Sequence, residues 1–230
     1  MDGALVGVCA VLGLVLGPFL DRVVERVPAR RSLRGGPYRL GGASLALGVA
    51  AAGLFALAAW FAVGDDRWGS SWVVLPYLVV FAALLAVSVV DVRELRIPDR
   101  IVFPSLGLAL ALVVVISLAE GAPRAVVNAL VGAALYFVLL LVPHLVYPKG
   151  MGFGDVKLGL VMGLALGWVF LDVADSISLV LWALLIGSLL GVVGGVAVAV
   201  ARRRRGAFPF GPALAASCVV AVAFSGDLVG

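Results

Sequence analysis

The chain has 230 residues and a formal net charge of +4, and 63% of its residues are hydrophobic while only 13% are charged. Soluble globular domains have roughly 25% charged and 45–50% apolar residues, so this composition excludes an ordinary soluble protein and indicates apolar surface that a lipid bilayer covers. The basic residues occur in short runs between apolar stretches, as membrane-topology signals do, and this placement argues against a nucleic-acid partner.

Apolar segments follow one another along the chain and predict an all-α, polytopic membrane helix bundle of about eight transmembrane helices. Each segment approaches or exceeds the roughly 20 residues that a membrane-spanning helix needs. Small residues recur four positions apart, for example at Gly159, Gly163 and Gly167, and this spacing lets helix backbones approach closely in lipid. The segments cover residues 4–20, 43–63, 73–90, 101–119, 125–146, 156–174, 177–200 and 208–225.

The basic residues are distributed unevenly between the loops that join these segments. Of the 17 Lys and Arg residues, only Arg67 and Arg124 lie in the loops on one side. The other 15 lie in four alternate loops, 21–42, 91–100, 147–157 and 201–207. Since positively charged loops stay inside, we expect these four loops in the cytoplasm and both termini outside.

Two aspartates stand where the third and sixth apolar segments meet cytoplasmic loops. Asp91 ends the third segment, and Asp155 opens the sixth. An ionisable group at this depth is costly and indicates a functional site. Two such carboxyl groups brought together share a proton, because one pKa rises in the field of the other. One carboxyl then activates water and the other protonates the carbonyl or the leaving amine, which is the chemistry of peptide hydrolysis.

Four neighbours of these aspartates are candidate supporting residues. Gly152 and Gly154 are expected to let the backbone turn sharply and approach a bound peptide. Asp99 follows a proline, and either caps the fourth helix or takes part in the chemistry directly. Lys157 either extends its ammonium group to the membrane interface or balances the charge of the aspartate pair.

Other chemistries have little support in the sequence. His144 is the single histidine, and Cys9 and Cys218 lie in apolar segments without a CxxC motif. We therefore expect no metal site and no cofactor. No serine lies in the context of a nucleophile elbow, so a serine mechanism is not indicated.

Two alternatives to an enzyme remain open at this point. In a proton-coupled membrane transporter, Asp91 and Asp155 would form a proton relay. Such a relay needs acidic groups spread through the depth of the bilayer, whereas both aspartates are predicted at one face. A non-catalytic membrane scaffold is the other alternative, and it leaves both aspartates unexplained.

Several motifs occur in the same order as in a known family. They are Gly17-Pro18-Phe19-Leu20 with Val23, Arg26 and Pro28, then Asp91 with Pro98-Asp99, then Gly152 to Leu158 with Gly167-Trp168, and finally Phe210-Gly211-Pro212-Ala213-Leu214. Together these motifs resemble the prepilin peptidases, the type IV leader peptidases of the GxGD aspartic class. Their joint occurrence along most of the chain is far more specific than the GxGD motif alone.

The resemblance implies an activity, a site and a partner. It implies that Asp91 and Asp155 are the catalytic pair, supported by Asp99, Gly152, Gly154 and Lys157. The substrate would be a prepilin or pseudopilin precursor whose short basic leader is removed at the cytoplasmic face of the plasma membrane. We accordingly expect one integral membrane peptidase domain over 1–230. Residues 1–42 would form its N-terminal helix and a reduced cytoplasmic loop, and 73–230 its catalytic helix bundle.

The chain departs from the family pattern in its first cytoplasmic loop. Many members carry two CxxC pairs there, tied to zinc, whereas the loop from Arg22 to Gly42 has no cysteine. Many members also methylate the new N-terminus with S-adenosylmethionine, and the family's asparagine after the Phe-Leu pair is Asp21 here. Methylation of the product is therefore left out of the expected activity.

Overall fold

The computed structural model describes residues 2–33, 41–63, 70–148, 150–202 and 208–229, and the described residues form helices and no strand. Arg34, Arg39, Arg67, Lys149 and Arg203 to Arg205, which contribute to the charge count, lie outside these ranges. A short 3₁₀ helix, Ser71–Val73, precedes the third helix. The α-helices are α1 Asp2–Arg26, α2 Gly42–Val63, α3 Val74–Glu94, α4 Asp99–Ala119, α5 Pro123–Val146, α6 Phe153–Gly167, α7 Val173–Arg202, α8 Gly211–Ala223 and α9 Ser225–Val229.

The predicted all-α, polytopic membrane bundle is confirmed. Six of the described helices, α1 to α5 and α7, are long and apolar enough to cross a membrane. The helices α6 and α8 are shorter, with 15 and 13 residues. A helix of 15 residues rises only about 22 Å, less than the roughly 30 Å of the hydrocarbon core. Two of the eight expected membrane-spanning helices, α6 and α8, are therefore too short to cross the hydrocarbon core at full length.

The early end of α6 has a physical cause. The sequence predicts a helix over 156–174, but α6 ends at Gly167 and the chain turns back toward α7. Side chains of neighbouring helices satisfy the carbonyl groups freed there: the Asn128 amide donates to the oxygens of Phe170 and Leu171, and the Ser176 hydroxyl donates to the oxygen of Gly167. Because these acceptors have partners, the first part of the turn can stay inside the protein. Trp168, Val169 and Phe170 are buried there, whereas Leu171 and Val173 are exposed.

Glycines let α6 lie directly against α5. A Cβ atom placed on Gly132, on Gly163 or on Gly167 would come within about 3.0 Å of the facing backbone, so each close approach requires a glycine. Similarly, Gly13 and Gly17 of α1 face the backbone of α2 at distances that leave no room for a side chain. The predicted role of small residues spaced by four is confirmed in both pairs.

Helix ends then meet at one end of the bundle. The helix α3 packs against α4 and α8, while α6 packs against α4 and α5. The C-terminal turn of α3 and the N-terminal turn of α6 line the same cavity, together with the loop of residues 95–98 that joins α3 to α4. The fold therefore places the two halves of the predicted site side by side.

The crossing of α5 and α6 gives a first prediction. We expect Gly163→Ala to lower the free energy of unfolding by about 1–3 kcal/mol, because the added methyl group overpacks a backbone contact. Thermal unfolding of the purified protein in detergent measures this loss. Gly53→Ala in α2 is the matched control, since a Cβ atom there meets nothing within 4 Å. An equal effect of both substitutions would contradict the close packing of α5 on α6.

Candidate active site

A cavity of about 600 Å³ opens at the end of the bundle where α3 and α6 meet. Its walls come from the segment that follows α1, from the end of α3 and the loop that joins it to α4, and from the starts of α4 and α6. The cavity brings together all the site residues that the sequence predicts, although they are up to 66 positions apart. They are Asp91, Asp99, Gly152, Gly154, Asp155 and Lys157.

Asp91 lies in the last turn of α3 and is held from the opposite side by α8. Its side chain is only 6% exposed. The backbone N–H of Gly211, the first residue of α8, donates a hydrogen bond of 3.0 Å to the Oδ2 atom of Asp91. A Cβ atom on residue 211 would lie 2.9 Å from that oxygen, so a glycine is required for this contact. The start of α8 thereby fixes the orientation of the carboxyl group.

Asp155 lies in the first turn of α6, outside the six candidate membrane spans. Its side chain is 7% exposed, and its Oδ1 atom is buried without a hydrogen-bond partner among the described residues. Burial raises the pKa of this carboxyl to about 7, and the charge of Asp91 adds to the increase. Since both causes disfavour a second negative charge, Asp155 retains a proton far more readily than an ordinary carboxyl.

The two carboxyl groups differ in their surroundings. Asp91 has a backbone donor, whereas the Oδ1 atom of Asp155 has no protein partner in the described part of the chain. The charge of Asp91 acts on Asp155, and two carboxyl groups that are coupled in this way can hold one proton between them and titrate as a pair. Such a pair can accept a proton from water and donate one to a peptide group.

Asp99 and Lys157 form an ion pair across the cavity wall. The predicted cap on α4 is wrong, because the N-cap residue is Pro98 and no side chain caps that end. The carboxylate of Asp99 instead accepts a hydrogen bond from the ammonium group of Lys157, which also lies 5.4 Å from the ring centre of Phe153. Lys157 thus compensates the charge of Asp99, and the ion pair ties α4 to α6.

Gly154, at the start of α6, is needed for a close contact that the sequence did not suggest. Neither Gly152 nor Gly154 has a left-handed conformation, because Gly152 has φ −69° and ψ 141°, and the one described glycine with positive φ is Gly121. A Cβ atom on Gly154 would lie 2.7 Å from the Cβ atom of Ile97. Gly154 therefore lets the loop between α3 and α4 lie against α6, which brings Asp91 and Asp155 into one cavity.

Gly211, Pro28 and Arg30 are among the residues at the site that were not predicted as site residues. Gly211 orients Asp91 through a hydrogen bond. The sequence marked Gly211 as part of the Phe-Gly-Pro motif, but the motif did not indicate a contact with Asp91. Pro28 and Arg30 line the cavity from the segment after α1, and Arg30 has a positive φ of 54°. Their contribution depends on how α1 packs, which a local pattern does not reveal.

The described residues contain no group of three or more His, Cys, Asp and Glu side chains that is placed to hold a metal ion. The two described cysteines, Cys9 and Cys218, are separate, buried thiols. The expected absence of a metal or other cofactor stays a prediction from the sequence.

Residues 78–196 match the family model described as the type IV leader peptidase family. This range includes Asp91, Asp155 and the ion pair between Asp99 and Lys157. No solved structure matches the chain.

Individual proteins of similar sequence carry names of the same family. The chain is 31% identical over 172 residues to a protein of Bacillus subtilis named prepilin leader peptidase/N-methyltransferase. It is 33% and 34% identical to proteins of the same name from Neisseria gonorrhoeae and Pseudomonas putida. These alignments include 74%, 71% and 70% of the chain but only 63%, 51% and 54% of the relatives. The chain thus spans between half and two thirds of the length of these relatives.

The contact between Gly154 and Ile97 gives a second prediction. We expect Gly154→Ala to lower the free energy of unfolding by about 1–3 kcal/mol, because the new methyl group displaces Ile97 and the loop that carries it. Thermal unfolding in detergent at neutral pH provides the measurement. Gly152→Ala is the control two residues away, since its Cβ atom would meet the Oδ2 atom of Asp155 at 3.4 Å and the backbone nitrogen of Gly154 at 3.9 Å, both ordinary contact distances. If Gly152→Ala were the more damaging change, the role assigned to Gly154 would be wrong.

Proposed function

The chain belongs to the type IV leader peptidase family, and from that premise we propose that it is a membrane-embedded aspartic endopeptidase. Its substrates are type IV prepilin or pseudopilin precursors, from which it removes the short basic leader. The observation that carries the proposal is the burial of Asp91 and Asp155 in one cavity, with the charge of Asp91 acting on Asp155.

The geometry supports hydrolysis by a pair of carboxyl groups that share a proton. A water molecule attacks the carbonyl carbon of the scissile peptide bond, and the ionised carboxylate of Asp91 accepts its proton. Asp155 is the acid, because its surroundings favour the neutral form, and its proton passes to the leaving amine as the C–N bond breaks. Proton exchange between the two carboxyl groups then restores the starting state. No covalent intermediate forms.

The other predicted residues support this pair from the walls of the cavity. The ion pair between Asp99 and Lys157 joins the start of α4 to α6, and Gly154 admits Ile97 against α6. Gly152 lies beside the carboxyl group of Asp155, and Gly211 orients that of Asp91. These residues act by holding the two carboxyl groups at a fixed separation.

The proposal covers peptide cleavage and leaves out methylation. The names of the three relatives include an N-methyltransferase, but the first loop of this chain lacks the cysteines that the family carries there. A proton relay has less support than a peptidase, because both aspartates lie at one end of the bundle.

We expect Asp91→Asn and Asp155→Asn each to lower the rate of leader removal by at least about 10³-fold, within the range that general acid–base catalysis contributes. Either change removes a titratable oxygen from the pair, so the proton transfers fail. The assay follows the size of a purified prepilin after incubation with each variant in detergent.

Asp227→Asn is the matched control, because Asp227 is exposed in α9 and distant from the cavity in the fold. This variant should cleave at the wild-type rate. All variants should accumulate in the membrane to the same level. Substantial cleavage by Asp91→Asn or by Asp155→Asn would rule out the mechanism that uses two aspartates.

The charge distribution supports a cytoplasmic site in the plasma membrane. Fifteen of the 17 Lys and Arg residues lie in four alternate loops, two of which flank the aspartates, and such loops stay inside. The leader is then cut in the cytoplasm, and both termini of the chain face outward.

Reporter fusions test this orientation. A reporter that is active only outside the cytoplasm should be inactive when it is fused after residue 95 or after residue 150, and active when it is fused after residue 121, in the turn between α4 and α5. The opposite pattern would place the aspartates outside and overturn the proposed orientation.

A further inference from the structure

An apolar groove of about 380 Å³ lies beside the carboxyl cavity. Residues 16–23 of α1, 78–86 of α3 and 100–108 of α4 line most of it, and Val27 lines it just after α1. Arg100 and Ser105 are the polar residues among its described lining, and the hydroxyl of Ser105 is already bonded to the oxygen of Ile101. Nearly all of the groove therefore suits an apolar occupant.

The groove adjoins the cavity. Val27 and Arg100 line both, so one end of the groove lies next to the cavity that holds the aspartates. From there it follows the three helices for eight to nine residues, which is about 12 Å or about two helical turns. The side chains of Phe19 and Leu108 at its edges are 42% and 54% exposed, so the groove opens sideways toward the bilayer.

The floor of the groove suits a helix. Ala82, Ala83 and Ala86 provide this floor on α3, and alanines at these positions let another helix approach closely. A lipid acyl chain needs no such row of small residues. Its binding would also gain nothing from a groove that lies next to the carboxyl groups. A peptide that lies between Asp91 and Asp155 and continues into the bilayer as an apolar helix uses both features.

We propose that this groove binds the apolar helix that follows the scissile bond of the substrate. The inference rests on the proposed peptidase function and adds the surface that recognises the substrate. About the first two turns of the substrate helix lie against α1, α3 and α4. The polar leader then occupies the cavity, and the scissile bond falls at the junction that Val27 and Arg100 mark.

Filling the groove should weaken substrate binding and leave the chemistry intact. We expect Ala82→Trp to raise the KM for a precursor with a basic leader and a 20-residue apolar helix about tenfold, equivalent to about 1.4 kcal/mol, with little change in kcat. Ala134→Trp is the matched control, because Ala134 is exposed on α5 and outside the groove. Equal KM values for the two variants would overturn the proposal.

Photocrosslinking tests the same surface without altering its floor. A photoreactive amino acid replaces Phe19 or Leu108 in an Asp155→Asn background, which holds the precursor uncut. Replacement of Val138, an exposed residue of α5 outside the groove, is the control. Crosslinks from positions 19 and 108 to the substrate helix are expected, and crosslinks from position 138 alone, or to lipid alone, would contradict the inference.

The two proposals fail in different ways. If the wild-type protein cleaves no precursor, the peptidase function fails and the groove loses its assigned occupant. If the wild-type protein cleaves the precursor and the groove variants match their controls, the peptidase stands and only the docking surface is wrong.

Discussion

Two acidic side chains buried beside each other are the constraint on which the site depends. Carboxylates are stable in such a place only if one of them stays neutral or both find partners. Asp91 has the N–H of Gly211, while burial and the charge of Asp91 raise the pKa of Asp155 to about 7. In the proposed mechanism, the same electrostatic conflict that makes the arrangement costly leaves one carboxyl group to donate a proton and one to accept it.

Close backbone contacts allow this arrangement to form. The glycines between α5 and α6 let the two helix backbones lie in direct contact. Gly154 lets the loop between α3 and α4 pack against the first turn of α6. The ion pair between Asp99 and Lys157 holds the same junction from the side, while Gly211 closes it from α8. Each contact fixes the separation of the carboxyl groups without contributing to the reaction itself.

The cavity and the groove divide a membrane-bound substrate between two environments. The cavity has charged residues on its walls, whereas the groove is almost entirely apolar and opens toward lipid. A peptide with a polar leader and an apolar helix matches this division at the point where the two spaces meet. The proposed position of the cut and its proposed chemistry thus both agree with the shape of the protein.

The sequence alone was enough to predict the helices and to identify the two aspartates as site residues. A lipid bilayer requires long apolar segments, and an ionisable residue at the end of such a segment is costly and therefore indicates a function. Only the tertiary structure decided that α6 ends at Gly167, that Asp99 pairs with Lys157, and that Gly154 serves to admit Ile97. Gly211 shows the reason most clearly, since its contact with Asp91 spans 120 positions of the chain. Local patterns report how a segment meets its solvent, while partners across the bundle are set by the way the helices pack.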